Sequence, residues 1–384
     1  MEDDNDEIDE ETMIKYYFQH GFQYSEIIDH LARHNIIFSK STLLRRLKLY
    51  GLSRRGNQVD QNIHNDLRQK IREIIDGPGS CGGYRAVWHT LKMQGYQVPR
   101  SIVQLLLKEI DPEGVKARQA HKLKRRVYSN AGPNYAWHID GYDKLKHFGF
   151  PIHGCIDGFS RKVLWLRVTR SNNCPDVIAN MYLDTVLKVD GCPLNLITDL
   201  GTENGIAAAT QAFFCDDPDS HRYVSSPRNQ RIESWWSQLS KTRSSWWRDL
   251  FINMESERTI DLLDELSQEC LWYCFAKVLQ KDLDEVVEYW NTHYIRKSRH
   301  NSVAGRPDSM FYLPKNFNGS EKKVAVDHRE IGYVRDTLIQ FDEENEYTEY
   351  FDYVLAASGI SLPTNWREAI STYEFLINIA ENGQ

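Results

Sequence analysis

The sequence predicts an α/β core preceded by all-helical modules, and three observations predict it. Between residues 135 and 250, short apolar runs of strand length alternate with longer amphipathic stretches. Residues 13–114 instead place apolar side chains at three- and four-residue spacing, broken by glycine and polar turns, as short helices do. At 384 residues, with 41% hydrophobic and 12% aromatic content, the chain has enough apolar surface for a sizeable core and two or three domains.

Residues 1–12 carry eight acids and no bases, an acidic tail opposite in charge to a signal peptide. From 13 to 56, MIKYYFQHGF, YSEIIDHLARHNI and FSKSTLLRRLKLYGLSRR read as three short helices, the last with a serine cap and a stop at Gly51. A tight turn before the last helix is the arrangement of a helix-turn-helix. Lys40, Arg45, Arg46 and Lys48 would line its recognition helix, with Arg54 and Arg55 just beyond for backbone contact. The alternative is a generic helical bundle with a solvated basic face.

Residues 57–114 repeat the theme. LRQKIREIIDG is an amphipathic helix, GGYRAVW opens a second after a glycine turn, and a third runs from Ser101 beyond Pro99. Residues 115–133 form a basic linker in which Lys122, Lys124, Arg125 and Arg126 can track phosphates, and which reads secondarily as a nuclear-import patch.

The net charge of −7 conceals this polarity. Residues 13–130 hold 21 Lys and Arg against 9 Asp and Glu, whereas residues 321–384 hold 5 against 13. The basic front neutralises phosphates and releases counterions, the sequence-independent part of DNA affinity. No apolar run approaches the ~18 residues of a membrane span, so a soluble intracellular protein is expected. Seven cysteines without a paired framework read as reduced thiols, and Cys270 and Cys274, one helical turn apart beside Leu271 and Phe275, read as core.

In residues 134–254, strands are expected near 135–141, 152–157 and 162–168, a helix from Pro175 to Val189, and a strand near 194–198. A helix through GTENGIAAATQAFF, a strand at HRYVSS and a helix starting near Asn229 complete the region. Asp140 and Asp199 close apolar strand-like runs, and Glu233 projects from the first turns of the last helix. Two strand-borne carboxylates and one helix-borne carboxylate can converge on a pair of divalent cations. Mg²⁺ takes hard oxygen ligands, and two such ions ~3.5–4 Å apart serve an in-line phosphoryl displacement without a side-chain nucleophile.

WHIDGYDKL, CIDGFSRKVLWLRV, ITDLGTEN and SPRNQRIESWW, in that order, resemble the successive signatures of the retroviral-integrase catalytic core, found also in integrase-type transposases. Asp140 precedes Asp199 by 59 positions and Asp199 precedes Glu233 by 34, both close to that family's spacing. The resemblance implies a ribonuclease-H-like core with a five-stranded mixed sheet, and a catalytic, metal-binding triad of Asp140, Asp199 and Glu233 holding two Mg²⁺ or Mn²⁺. It also implies contact of Arg231 and Lys241 with DNA, double-stranded DNA at element ends and target as partner, and a homo-oligomer. Asp157 is expected to be structural, in a hairpin turn, while Asp143 and Glu203 match no ligand position. The zinc-binding amino-terminal domain of retroviral integrases is absent.

The chain departs from the family in placing Trp235 and Trp236 just after Glu233, where core packing is expected ahead of base stacking. Residues 255–320 read as a helical extension whose basic segment, with Arg296, Lys297, Arg299 and Arg306, holds DNA or a neighbouring protomer. Residues 321–384 combine the acidic DEENEYTEY with a final helix that docks on the core. The expected function is DNA cleavage at ends followed by strand transfer; the alternatives are a DNA-binding protein derived from such an enzyme and a nuclease that does not join. A nuclear location follows if the source is eukaryotic, a cytoplasmic one otherwise.

Overall fold

In the computed structural model, which describes residues 9–53, 61–118, 130–225, 229–297, 303–339 and 345–382, helix begins earlier than the sequence predicts. Helix α1 (Glu10–Gln19) takes Glu10 and Glu11 into its first turn, where carboxylates complement the helix dipole. Glu10 then pairs with Arg46 at 3.0 Å and accepts from the Tyr50 hydroxyl at 3.0 Å. The end of the acidic stretch is therefore part of the fold.

The described residues fall into two units, the first drawn from residues 1–129, 241–243 and 289–319, the second from 130–240, 244–288 and 320–384. In the first, α1, α2 (Tyr24–Arg33) and α3 (Lys40–Leu49) enclose Ile14, Phe18, Phe22, Ile27, Leu31, Leu43 and Leu47. Ser39 caps α3 by accepting from the Thr42 amide at 3.1 Å, as its sequence signature requires. A second trihelical cluster, α4 (Gln61–Ile75), α5 (Tyr84–Met93) and α6 (Arg100–Ile110), closes over Leu67, Ile71, Leu91, Val103 and Leu106. Helix α7 (Pro112–Arg118) follows, so the expected linker opens as helix.

The second unit is built on one sheet. Strands β1 (Trp137–Tyr142), β2 (Ile152–Asp157) and β3 (Val163–Val168) form an antiparallel meander; helix α8 (Pro175–Val189) returns the chain to β4 (Leu196–Thr198). Helix α9 (Gly205–Cys215) leads to β5 (His221–Tyr223), and the order is β3-β2-β1-β4-β5 with β1, β4 and β5 parallel. This mixed sheet with flanking helices is a ribonuclease-H-like α/β fold. Alternation along β1 divides its side chains: Trp137 and Ile139 join Ile178, Tyr182 and Val186 of α8 in the main core, while His138, Asp140 and Tyr142 share the opposite face.

On that opposite face lie α10 (Gln230–Leu239), α11 (Ser245–Ser256) and α12 (Glu265–Thr292), with Phe150, Phe251 and Phe275 packed ring to ring. The sequence predicts continuous helix from Glu255. The chain instead turns through Arg258, at φ 60°, and restarts where Asp264 accepts from the Ser267 amide at 2.7 Å. Cys270 and Cys274 are buried in α12.

Residues 289–319, with α13 (Pro307–Tyr312), belong to the first unit. Arg306 pairs there with Glu26 at 3.3 Å and donates to the Gly21 carbonyl at 2.5 Å, with its side chain 9% exposed. Its guanidinium is thus taken up inside the helical unit and not presented to DNA or to another protomer. Beyond it, α14 (His328–Thr337) packs on α8 through Ile331. Helices α15 (Glu346–Ser358) and α16 (Trp366–Asn382) dock on α12, where Tyr373 and Ser267 share a 2.7 Å hydrogen bond and the Tyr273 ring meets Phe351 at a tilt of 51°. Among the described residues no helix is long and apolar enough to cross a membrane.

Candidate active site

The parallel pairing of β1 and β4 decides where the carboxylates fall. Trp137 is level with Leu196 and His138 with Ile197, and continuing that register sets Asp140 beside Asp199, the residue after β4. Glu233 stands in the first turn of α10, the helix laid over β1 on the Asp140 side. The sheet and one helix thus carry all three acids to one end of the core.

What fixes α10 is a cross-chain bond that replaces its own cap. Asn229 occupies the N-cap, yet its side chain turns to β1: Nδ2 donates to the Ile139 carbonyl at 3.0 Å and Oδ1 meets His138 Nδ1 at 2.7 Å. Because the amide nitrogen already donates, Oδ1 is the acceptor and His138 carries its proton on Nδ1. Burial lowers the His138 pKa to about 4, so the ring is neutral.

Trp236, one turn beyond Glu233, donates from Nε1 to Asp140 Oδ2 at 3.0 Å. Burial, with the charges of Asp199 and Glu233 adding, pushes the Asp140 carboxyl up to about 7 against that hydrogen bond. Asp199 Oδ1 accepts from the Gly201 amide at 3.2 Å and from Asn204 Nδ2 at 3.0 Å. Asn204 Oδ1 is buried without a hydrogen-bond partner.

Asp140 feels the charges of Asp199 and Glu233, yet the acids form no tight cluster: among the described residues no group of three His, Cys, Asp or Glu side chains is arranged to hold a metal ion. The donor set nonetheless suits Mg²⁺ or Mn²⁺. It consists of hard carboxylate oxygens, burial with the added charges of Asp199 and Glu233 raises Asp140, and the buried Asn204 carbonyl is an acceptor fit for water in a hydrated ion's shell.

Other expected residues separate clearly. Asp157 accepts from the amides of Asn134 at 2.8 Å, Phe159 at 3.1 Å and Ser160 at 2.7 Å, and from the Ser160 hydroxyl at 2.6 Å. It ties the start of β1 to the β2–β3 turn and offers nothing to a ligand; its burial pushes the carboxyl up to about 6. Asp143 is engaged by Asn172 Nδ2 at 2.6 Å, and Glu203 is half-buried in a short turn before α9. Trp235 and Trp236 are both buried, as core packing requires.

Of the basic residues, Lys40, Arg45 and Lys48 are exposed on α3, whereas Arg46 is drawn to Glu10. Arg231 is half-buried at the start of α10, and Lys241 is exposed in the π-helical turn Ser240–Ser244. Arg54, Arg55, Lys122, Lys124, Arg125, Arg126 and Arg299 lie outside the described residues. Sequence reasoning missed His138 and Asn204, and it named Asn229 as a helix start and Trp236 as a core residue without their bonds to β1 and Asp140. His138 was within reach, since strand alternation puts it on the Asp140 face; the others needed the fold.

Compared with curated proteins, the chain has no match. Residues 127–311 match the family model described as the integrase core domain. That stretch contains the sheet, α10 and all three acids, and its kind of domain processes nucleic acids in the manner of integrases and transposases. By fold and by this match, the chain carries an integrase core domain of the retroviral-integrase-like kind.

Proposed function

We propose that the protein is a polynucleotidyl transferase that cleaves phosphodiesters at DNA ends and transfers the freed strand into target DNA. The observation that carries this reading is the level placement of Asp140 on β1 and Asp199 just past the end of its parallel neighbour β4, with Glu233 on the helix fastened over β1. Asp140, Asp199 and Glu233 are the residues that would hold two Mg²⁺ or Mn²⁺ ions. When bound, such ions supply Lewis acidity to the phosphate and make the attacking hydroxyl a better nucleophile.

The chain's own part is positioning. His138 and Asn229 set α10 on β1, and Trp236 and Asn204 orient the two aspartates. Water attacks in the cleavage step and the new 3′-hydroxyl in the joining step, so one site serves both. Double-stranded DNA is the substrate; Lys40, Arg45 and Lys48 on α3 and Lys241 after α10 are the exposed phosphate contacts. Joining two ends in one complex calls for a homo-oligomer, and DNA as substrate places a eukaryotic version in the nucleus.

A joining assay tests this. A pre-cut duplex with a free 3′-hydroxyl, incubated with a target plasmid and Mn²⁺, gives joined product with the wild type and none with Asp199→Asn. Equal product from both removes the mechanism, and cleavage of an uncut end without joining reduces the protein to a nuclease.

A further inference from the structure

We propose that Trp236 is a positioning residue that holds Asp140 to one-oxygen ligation of a divalent cation, and so biases the site toward small octahedral ions over Ca²⁺. The inference rests on the metal-dependent reading above and adds a determinant of which ion is accepted. Indole is a donor with no acceptor, so Trp236 cannot itself bind a cation; what it can do is occupy one carboxylate oxygen. It does so at Oδ2 of Asp140, a carboxylate that also accepts from the Gly141 amide, so that Oδ1 is the oxygen not taken by the indole.

The ring has little freedom to let go. Gly154 faces Asp140 across the β1–β2 ladder, and a Cβ there would fall 2.7 Å from Trp236 Cη2, so the indole lies against bare backbone. Tyr142, two residues after Asp140 on the same face, sets its ring centroid 5.0 Å from that of Trp236, and its own hydroxyl shares a 2.6 Å hydrogen bond with Ser244 Oγ. Trp236 is 5% exposed. A glycine, a tyrosine and the helix backbone therefore fix the height and tilt at which the N–H meets the carboxylate.

Asp199 is treated alike: Gly201 and Asn204 take Oδ1, and Oδ2 remains. Ca²⁺ gathers six to eight oxygens and readily chelates both oxygens of a carboxylate, whereas Mg²⁺ wants single oxygens at octahedral positions. Two carboxylates that each have one oxygen already bonded match the second demand. Freed from its indole, Asp140 would rotate and offer both.

The test is Mn²⁺ binding to the full chain, followed by the resonance of free Mn²⁺, with Mg²⁺ and Ca²⁺ as competitors. Trp236→Phe keeps an aromatic ring and removes only the N–H and part of the indole. Gly154→Ala keeps every ligand and donor and displaces the ring. Both variants are expected to bind Mn²⁺ about tenfold more weakly, and to shift the ratio of Mg²⁺ to Ca²⁺ competition toward Ca²⁺ by roughly threefold or more. Should Trp236→Phe fold poorly, Gly154→Ala carries the measurement. Wild-type affinity and ratio in the folded variants would overturn the role of Trp236 and leave the enzyme reading standing. A wild type that binds Mn²⁺ no better than Asp199→Asn would overturn both.

Discussion

His138 donates through Nδ1 to Asn229 Oδ1 at 2.7 Å, and this bond joins the strand of Asp140 to the helix of Glu233. The same amide donates to the Ile139 carbonyl, so a single side chain sets two contacts between elements 91 and 90 residues apart. Asn229→Ala leaves a buried imidazole N–H and a buried carbonyl unsatisfied, which costs about 2 to 4 kcal/mol together. Urea unfolding should show that loss. Joining by the molecules that remain folded should fall as well, because Glu233 then loses its register with Asp140.

The neutral state of His138 gives the core a pH dependence of known sign. Its folded pKa of about 4 lies below the ordinary value of 6.5, so the unfolded chain binds the extra proton first as pH falls. The contribution is fully present above 6.5 and is lost progressively down to about 4, amounting to about 3 kcal/mol. Asp140 and Asp157, both raised, act in the opposite sense over an overlapping window. The readout is therefore the difference between wild type and His138→Gln, whose stability gap should narrow as pH falls from 6.5 to 4. A gap independent of pH would show that His138 is not held neutral.

In the proposed mechanism, Asp140 trades stability for chemistry. With its carboxyl pushed up to about 7 from 3.8, the charged form is disfavoured in the fold, and the penalty grows from pH 3.8 until it is complete above 7. Asp140→Asn is expected to raise stability at pH 8 in chelator by about 1 to 3 kcal/mol while abolishing joining. Adding Mn²⁺ should then raise the melting temperature of the wild type and leave that of the variant where it was. A destabilised variant would mean that the Trp236 bond outweighs burial and repulsion.

Asp157 makes the contrasting case of a carboxylate used for structure. Its Oδ2 accepts from two amides and a hydroxyl, and an amide nitrogen placed there would face three donors. Asp157→Asn should cost about 2 to 3 kcal/mol in urea unfolding, with the rate per folded molecule unchanged. A variant as stable as wild type but inactive would place Asp157 in the chemistry instead.

The sequence made some of this legible and not the rest, and the dividing line is distance along the chain. Strand alternation, Pro175 at the start of α8, Gly191 beyond its end and the turn chemistry of IDGFSRK are local signals, and each appears in the fold where it was expected. Trp236 reaches Asp140 across 96 residues, and Arg306 reaches Glu26 across 280. Nothing near Arg306 in the sequence separates it from the exposed cations around it; only the acid waiting on α2 does. Buried tryptophans were predictable from composition, but the direction of one indole N–H was not.

Arg306 and Arg45 give the last test, since both are arginines of the helical unit with opposite surroundings. Arg306→Ala removes the cation beside Glu26, which keeps the Gln23 amide and the Ser309 hydroxyl as donors, so the cost should fall at or below the low end of the about 3 to 5 kcal/mol for breaking a buried pair. Its effect on DNA binding should come through unfolding and leave the salt dependence of the folded fraction unchanged. Arg45→Ala, on the exposed face of α3, should leave stability within about 0.5 kcal/mol and lower the slope of log affinity against log salt by about 1. Arg46→Ala is expected to lower that slope less, because Glu10 already takes part of its charge. Equal slopes for all three variants would mean that α3 does not face the phosphates.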